Sequence, residues 1–180
     1  LWLNDDTYLL PNAIKNLISE YQEIGKPVIL SAACRVPNTQ LFSYGAFDEK
    51  MNPLAPNGTV QEVFNFNGNV VLVPEEIEEK IGIISPLYTH YLGDVDYGLR
   101  AKKEGFSCYT TSTYLAECDI NPIPNWADPK SSLIKRWRMA HHVKGRALKE
   151  YIAFKSYHYG KLNGIISWVD IYLRLVFTDN

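Results

Sequence analysis

Through the first 120 residues, short apolar runs alternate with stripes at helical spacing, the pattern of an α/β sheet. Ile14, Leu17, Ile18, Tyr21 and Ile24 recur at i, i+3, i+4 and i+7 and predict an amphipathic helix, opened by Pro11 and stopped by Gly25 and Pro27. Leu1-Trp2-Leu3 reads as the end of a buried strand, and Val28-Ile29-Leu30 opens a β-branched one running towards Cys34. Residues 35–61 are rich in Asn, Pro and Gly and hold one candidate strand, Leu41 to Phe47. Val63 to Val73 reads as a single strand with Asn67-Gly68-Asn69 inside it. Pro74 starts a short acidic helix through Lys80, a second spans 94–104 before Gly105, and Cys108 to Thr111 forms a strand. From Asn121 the pattern changes: Pro122, Pro124 and Pro129 break up a linker, followed by helical stretches over 131–159 and 163–177. The expected organisation is an α/β body over 1–120 and a helical extension over 121–180.

Composition narrows the class. Apolar residues are 46% and charged residues 21% of the 180, too apolar for a disordered chain. No run of about 18 uncharged apolar residues suggests a membrane span; Ile165 to Phe177 is interrupted by Asp170 and Arg174. Cys34, Cys108 and Cys118 are odd in number and widely spaced, which argues against a disulfide framework and for a reducing compartment. The chain opens without Met inside an apolar run, and so reads as a piece of something longer. The net charge of −2 conceals an asymmetry: eight Lys/Arg against 16 Asp/Glu up to residue 120, then ten against four. A basic tail on an acidic body suits an anionic partner, or a solvated face lying on the body itself.

Two acidic motifs are candidates for chemistry. Asn4-Asp5-Asp6-Thr7 follows an apolar strand end, where α/β sheets bind their ligands. Adjacent carboxylates there suit a hard divalent cation that shares its shell with a diphosphate; helix capping is the plainer alternative. Gly93-Asp94-Val95-Asp96-Tyr97-Gly98-Leu99-Arg100-Ala101 places two acids in the first turn of a helix that ends in Lys102 and Lys103, matching the macrodipole. Residues two apart do not share a helix face. One of Asp94 and Asp96 therefore faces a cleft at most, leaving the other for capping or for Arg100.

Taken in order, Leu-Asn-Asp-Asp-Thr at a strand end, an Asn-Gly-Asn strand followed by Pro, and Gly-Asp-Val-Asp-Tyr-Gly-Leu-Arg-Ala resemble the second half of a family 2 glycosyltransferase of the GT-A fold, over residues 1 to 120. The resemblance implies a partial GT-A-like mixed sheet flanked by helices. It implies Mn²⁺ or Mg²⁺ held by Asp6 with help from Asp5, Asn4 standing where an acid is frequent. It also implies Asp94 as catalytic base, with Gly93 in place of a frequent Glu, and Asn67, Gly68 and Asn69 lining the sugar and acceptor pocket. Asn4, Asp96 and His90 join them as candidate donor or acceptor contacts. The implied reaction is inverting transfer from a nucleotide-diphosphate sugar to a glycan or lipid-linked hydroxyl. The family's nucleotide-binding βα units would precede Leu1; at roughly 30 residues each, about 90 residues would be missing, and this chain alone is expected to be inactive. Its exposed strand end predicts self-association.

His141, His142 and His158 lack a compact metal-ligand spacing, although some GT-A enzymes take a ligand from a C-terminal His. The tail sets Trp137, Tyr151, Phe154, Tyr157, Trp168 and Tyr172 among Lys and Arg without a nucleic-acid motif. This mixture suits peripheral contact with a membrane through 131–177, or simple packing on the body. The expected location is cytoplasmic, at the inner face of a membrane. Two other functions are compatible with the sequence: a nucleotidyltransferase of similar sheet architecture, and a non-enzymatic module that binds anionic surfaces.

Overall fold

A computed structural model describes residues 1–121, 126, 128 and 130–177, so the Pro122, Pro124 and Pro129 linker lies outside the described residues. The strands are β1 (Trp2–Leu3), β2 (Tyr8–Leu9), β3 (Val28–Arg35), β4 (Ala46–Phe47), β5 (Pro53–Leu54), β6 (Gln61–Val63), β7 (Asn65–Phe66), β8 (Val70–Leu72) and β9 (Ser107–Glu117). The helices are α1 (Ala13–Ile24), α2 (Glu75–Ile81), α3 (Gly93–Lys103), α4 (Leu133–His141), α5 (Leu148–Tyr159) and α6 (Lys161–Val176). They fall into two compact units, one of residues 1–84 and 94–121, the other of 85–93 and the chain from 122 on.

The first unit is a mixed sheet in the order β1-β8-β3-β9-β2, with β6 also on β9. β8 runs antiparallel to both β1 and β3, and β3 is parallel to β9, so the carboxyl ends of β1, β3 and β9 share one rim. Val28 to Cys34 is buried on both faces, as the near-continuous apolar run requires. Alternation along the strand explains how: Leu30, Ala32 and Cys34 pack with Ala13 and Leu17 of α1. On the other side, Ile29 packs with Ile77 of α2 and Tyr97 and Ala101 of α3. Helices thus flank the sheet.

Four details depart from the sequence pattern. Val63 to Val73 is three strands: β6 joins β9, β7 joins β4 in a small sheet ordered β5-β4-β7, and β8 returns to the main sheet. Period-2 alternation cannot register that the chain changes sheets at Asn67-Gly68-Asn69. Of Leu41 to Phe47 only Ala46–Phe47 is a strand, with Phe42 bridging Arg35. β9 runs on to Glu117 because its extra residues are absorbed in a bulge against Ser31–Cys34; there Thr111 Oγ1 accepts the Ala33 N–H at 3.0 Å and replaces a ladder bond. Finally, β1 is an edge rather than a buried strand, leaving Leu1 and Leu3 exposed while Trp2 meets the edge of the Tyr97 ring at 4.7 Å.

In the second unit Ala140, Leu148, Ile171 and Leu175 form a core between α4, α5 and α6. The helix expected over 131–159 is two, because a turn intervenes. Gly145 lies so close under the Met139 carbonyl that a Cβ would collide with it, and Ala147 is left-handed at φ 47°. Gly164 similarly lets α6 approach Ser156 and the Ile152 carbonyl of α5. Residues 85–93, grouped with the body by sequence, cluster with these helices. Tyr88 meets Phe154 edge-on at 6.0 Å, and Thr89 donates from its N–H and hydroxyl to the Glu150 carboxylate at 3.0 and 2.7 Å. No helix among the described residues is long and apolar enough to cross a membrane.

Candidate active site

The turn from Asn4 to Thr7 links β1 at one edge of the sheet to β2 at the other, and so lies along the rim formed by the carboxyl ends of β1, β3 and β9. It is pinned to the start of β8, where the Asn4 N–H donates to the Asn69 carbonyl at 2.9 Å. Buried Asn69 donates from Nδ2 to Thr7 Oγ1 at 3.2 Å and to Cys118 Sγ at 3.5 Å. Thr7 in turn donates to Asp6 Oδ1 at 3.4 Å. Asn4, Asp5 and Asp6 stay exposed. Capping does not explain them: Asn12, in the left-handed region, occupies the N-cap of α1, and β2 lies between.

Asp94, in the first turn of α3, reaches the same loop. The Gly68 N–H donates to its Oδ2 at 2.9 Å, and the Val95 N–H to its Oδ1 at 2.8 Å. A Cβ at 68 would sit 3.4 Å from that of Asp94, so the loop backbone packs directly against this side chain. Burial pushes the Asp94 carboxyl above the ordinary aspartate value, against the opposing pull of the N–H groups of Val95 and Gly68. Asn67 anchors the loop from behind: its N–H donates to the Gly45 carbonyl at 2.6 Å, and its carbonyl accepts the Ser31 hydroxyl at 3.3 Å. The loop from Asn67 to Asn69 is therefore common to both acidic motifs.

Asp96 behaves differently from its neighbour. It is buried, and accepts from Arg100 Nε at 2.8 Å one turn along α3. Arg100 also donates to the Ile81 and Ile83 carbonyls, tying α3 to the end of α2. This is the pairing left open for one of the two acids, and it occupies the carboxylate that the resemblance offers as a substrate contact. His90 is exposed and belongs to the second unit. His141 has local partners there, with Nδ1 2.8 Å from the Trp137 carbonyl and Nε2 3.2 Å from the Tyr172 hydroxyl.

Ser31 and Gly45 support the loop without having stood out in the sequence; Thr7, the last residue of the Asn4–Thr7 motif, supports it as well. Ser31 had a signal, being a hydroxyl inside a run otherwise apolar from Val28 to Cys34; Gly45 had none. Cys34 and Cys118 line the same rim, but burial pushes the Cys34 thiol up to about 12, helped by Cys118 and Asp6, and raises Cys118 as well. Protonated thiols are poor nucleophiles and poor ligands at neutral pH. Among the described residues, no three or more His, Cys, Asp or Glu side chains are grouped to hold a metal on their own. The donor chemistry of Asp5 and Asp6 suits a hard cation that completes its shell with water and a ligand's phosphate oxygens. Neither family models, nor curated proteins, nor solved structures give a match to this chain.

Proposed function

We propose that this chain carries the catalytic rim of an inverting, metal-dependent glycosyltransferase of the GT-A type, using a nucleotide-diphosphate sugar and an acceptor hydroxyl on a glycan or lipid-linked glycan. The observation that carries the reading is the shared loop: Asn69 holds the Asp5-Asp6 turn and Gly68 holds Asp94, at the carboxyl ends of parallel strands.

Inverting transfer needs one base and no covalent nucleophile. The Asp94 carboxylate takes the acceptor's hydroxyl proton as that oxygen attacks the anomeric carbon, and the bond to the diphosphate breaks. Two backbone N–H groups fix both carboxylate oxygens, so the base is oriented before substrate arrives. Burial raises the Asp94 carboxyl above the ordinary aspartate value and so makes it a stronger base than a solvated aspartate. Asp6, with Asp5, would hold Mn²⁺ or Mg²⁺. When bound, that ion supplies positive charge to the departing diphosphate. Thr7 and Asn69 hold the Asp6 turn against the sheet.

Calorimetric titration with Mn²⁺ in the presence of inorganic pyrophosphate tests the acidic turn directly on this chain. Asp6→Ala is expected to weaken the metal at least tenfold. Equal affinity in wild type and variant would remove Asp6 from the site.

A further inference from the structure

α6 is apolar on two separate faces. Gly164, Ile171 and Leu175 point into the core of the second unit. Leu162, Ile165, Ile166, Val169, Leu173 and Val176 occupy a different arc of about 100°, and all six are between 41% and 68% exposed. After Lys161 at its first position, the non-aromatic polar residues of the helix fall on the narrow stripe of Asn163, Ser167, Asp170 and Arg174. A helix apolar around most of its circumference is ordinarily buried. The exposed face continues past Val176 into an apolar groove walled by Leu133, Ile134 and Trp137 of α4, with a volume of about 290 Å³.

The charge around this surface decides what it fits. From 131 to 177 there are nine Lys/Arg and two acids. Both acids are engaged internally, Glu150 with Thr89 and Asp170 with Arg174 at 2.9 Å. Lys135, Arg138, Lys144 and Lys161 are exposed, Arg138 one turn from Ile134 and Lys161 at the first position of α6. Two copies meeting through this face would bring like-charged rims together. An anionic bilayer accepts both parts, taking the apolar arc and Trp137 at the acyl boundary and pairing its headgroups with the cations.

We infer that the exposed face of α6, with the α4 groove, is a peripheral docking surface for an anionic lipid membrane, on which α6 lies flat over a length of about 24 Å. The inference is independent of the catalytic reading, because it needs neither metal nor sugar nucleotide. It narrows the expectation of membrane contact over 131–177 to one helix face and its groove.

Vesicle flotation tests it. The purified chain is expected to float with vesicles containing phosphatidylglycerol, to bind phosphatidylcholine vesicles weakly, and to be released as salt rises. Ile166→Glu/Val169→Glu, both at exposed positions, should lower binding at least tenfold with an unchanged circular dichroism spectrum. Ile18→Glu, an equally exposed apolar position on α1, should bind like wild type. Lys135→Glu/Arg138→Glu should weaken binding to anionic vesicles only. Failure of wild type to float, or full binding by the Ile166/Val169 variant, would overturn the inference. So would a concentration-dependent dimer that the same pair of substitutions splits, in the absence of flotation, since the face would then belong to a second copy.

Discussion

Replacing Asp94 by Asn separates chemistry from folding. The exchange preserves shape and removes the charge, so it deletes the proposed base while leaving a carbonyl oxygen to accept one of the two backbone bonds. The Gly68 N–H at 2.9 Å and the Val95 N–H at 2.8 Å both need an acceptor, and the amide supplies only one. A hydrogen bond to a charged group is worth about 1.5–3 kcal/mol. Against that loss stands relief of the burial that now raises the carboxyl's value. The two terms oppose each other, and we expect a net stability change below about 2 kcal/mol. Loss of a general base costs about 10²- to 10⁴-fold in rate, or ~3–5 kcal/mol on the barrier. The pH dependences run in opposite senses. In the proposed mechanism ionised Asp94 is the active form, so transfer is expected to rise with pH through its raised folded value. The stability linked to its raised value is fully present below the unfolded value and is lost as pH rises through the folded one. The melting temperature of the variant relative to wild type should therefore improve with rising pH. Release of nucleoside diphosphate from a nucleotide sugar, assayed in a protein that also carries nucleotide-binding units ahead of Leu1, gives the rate; thermal unfolding of the same protein gives the control. Turnover within tenfold of wild type would refute Asp94 as base, and inactivity with a collapsed melting curve would show only unfolding.

Arg100→Met should cost about 3–5 kcal/mol, because it takes the guanidinium away from the Asp96 carboxylate, which is 3% exposed; adding Asp96→Leu should restore much of the loss in urea denaturation. Gly98→Val should destabilise, since even a Cβ at 98 comes within 3.0 Å of the Phe66 ring, and a lowered denaturation midpoint would register it. Cys34 and Cys108, both pushed up to about 12 by burial, should resist iodoacetamide at pH 8 in the native protein and react in denaturant. Rapid native labelling of either would contradict their burial.

What the sequence disclosed depended on how local the determinant was. α1 follows from its stripe and its terminating Gly25, and β3 from its β-branched, doubly buried run, because neighbouring residues suffice to specify each. The path from Val63 to Val73 was not legible: whether successive strands stay in one sheet depends on partners such as Ala46 and Leu30, far away in the chain. The bulge in β9 escaped for the same reason. In the site, adjacent acids marked Asp5 and Asp6, and helix-end spacing marked Asp94 and Asp96, but only the fold distinguishes Asp94 on the loop from Asp96 in its ion pair. Gly45 gave no sign because its role is made by a tertiary bond to Asn67, and the motif that contains Thr7 does not show its bond from Asn69. The exposed face of α6 was blurred in sequence, since apolar residues on two arcs look like one very hydrophobic helix.

The passage of β6, β7 and β8 through two sheets fixes which parts of the gene can change length. Inserting or deleting one codon between Val63 and Val70 would turn an entire strand inside out and drag the backbone amide at 68 away from its carboxylate. The exposed hairpin tip at residues 48–52 carries no such constraint, so indels among natural variants should accumulate there and spare the threefold crossing.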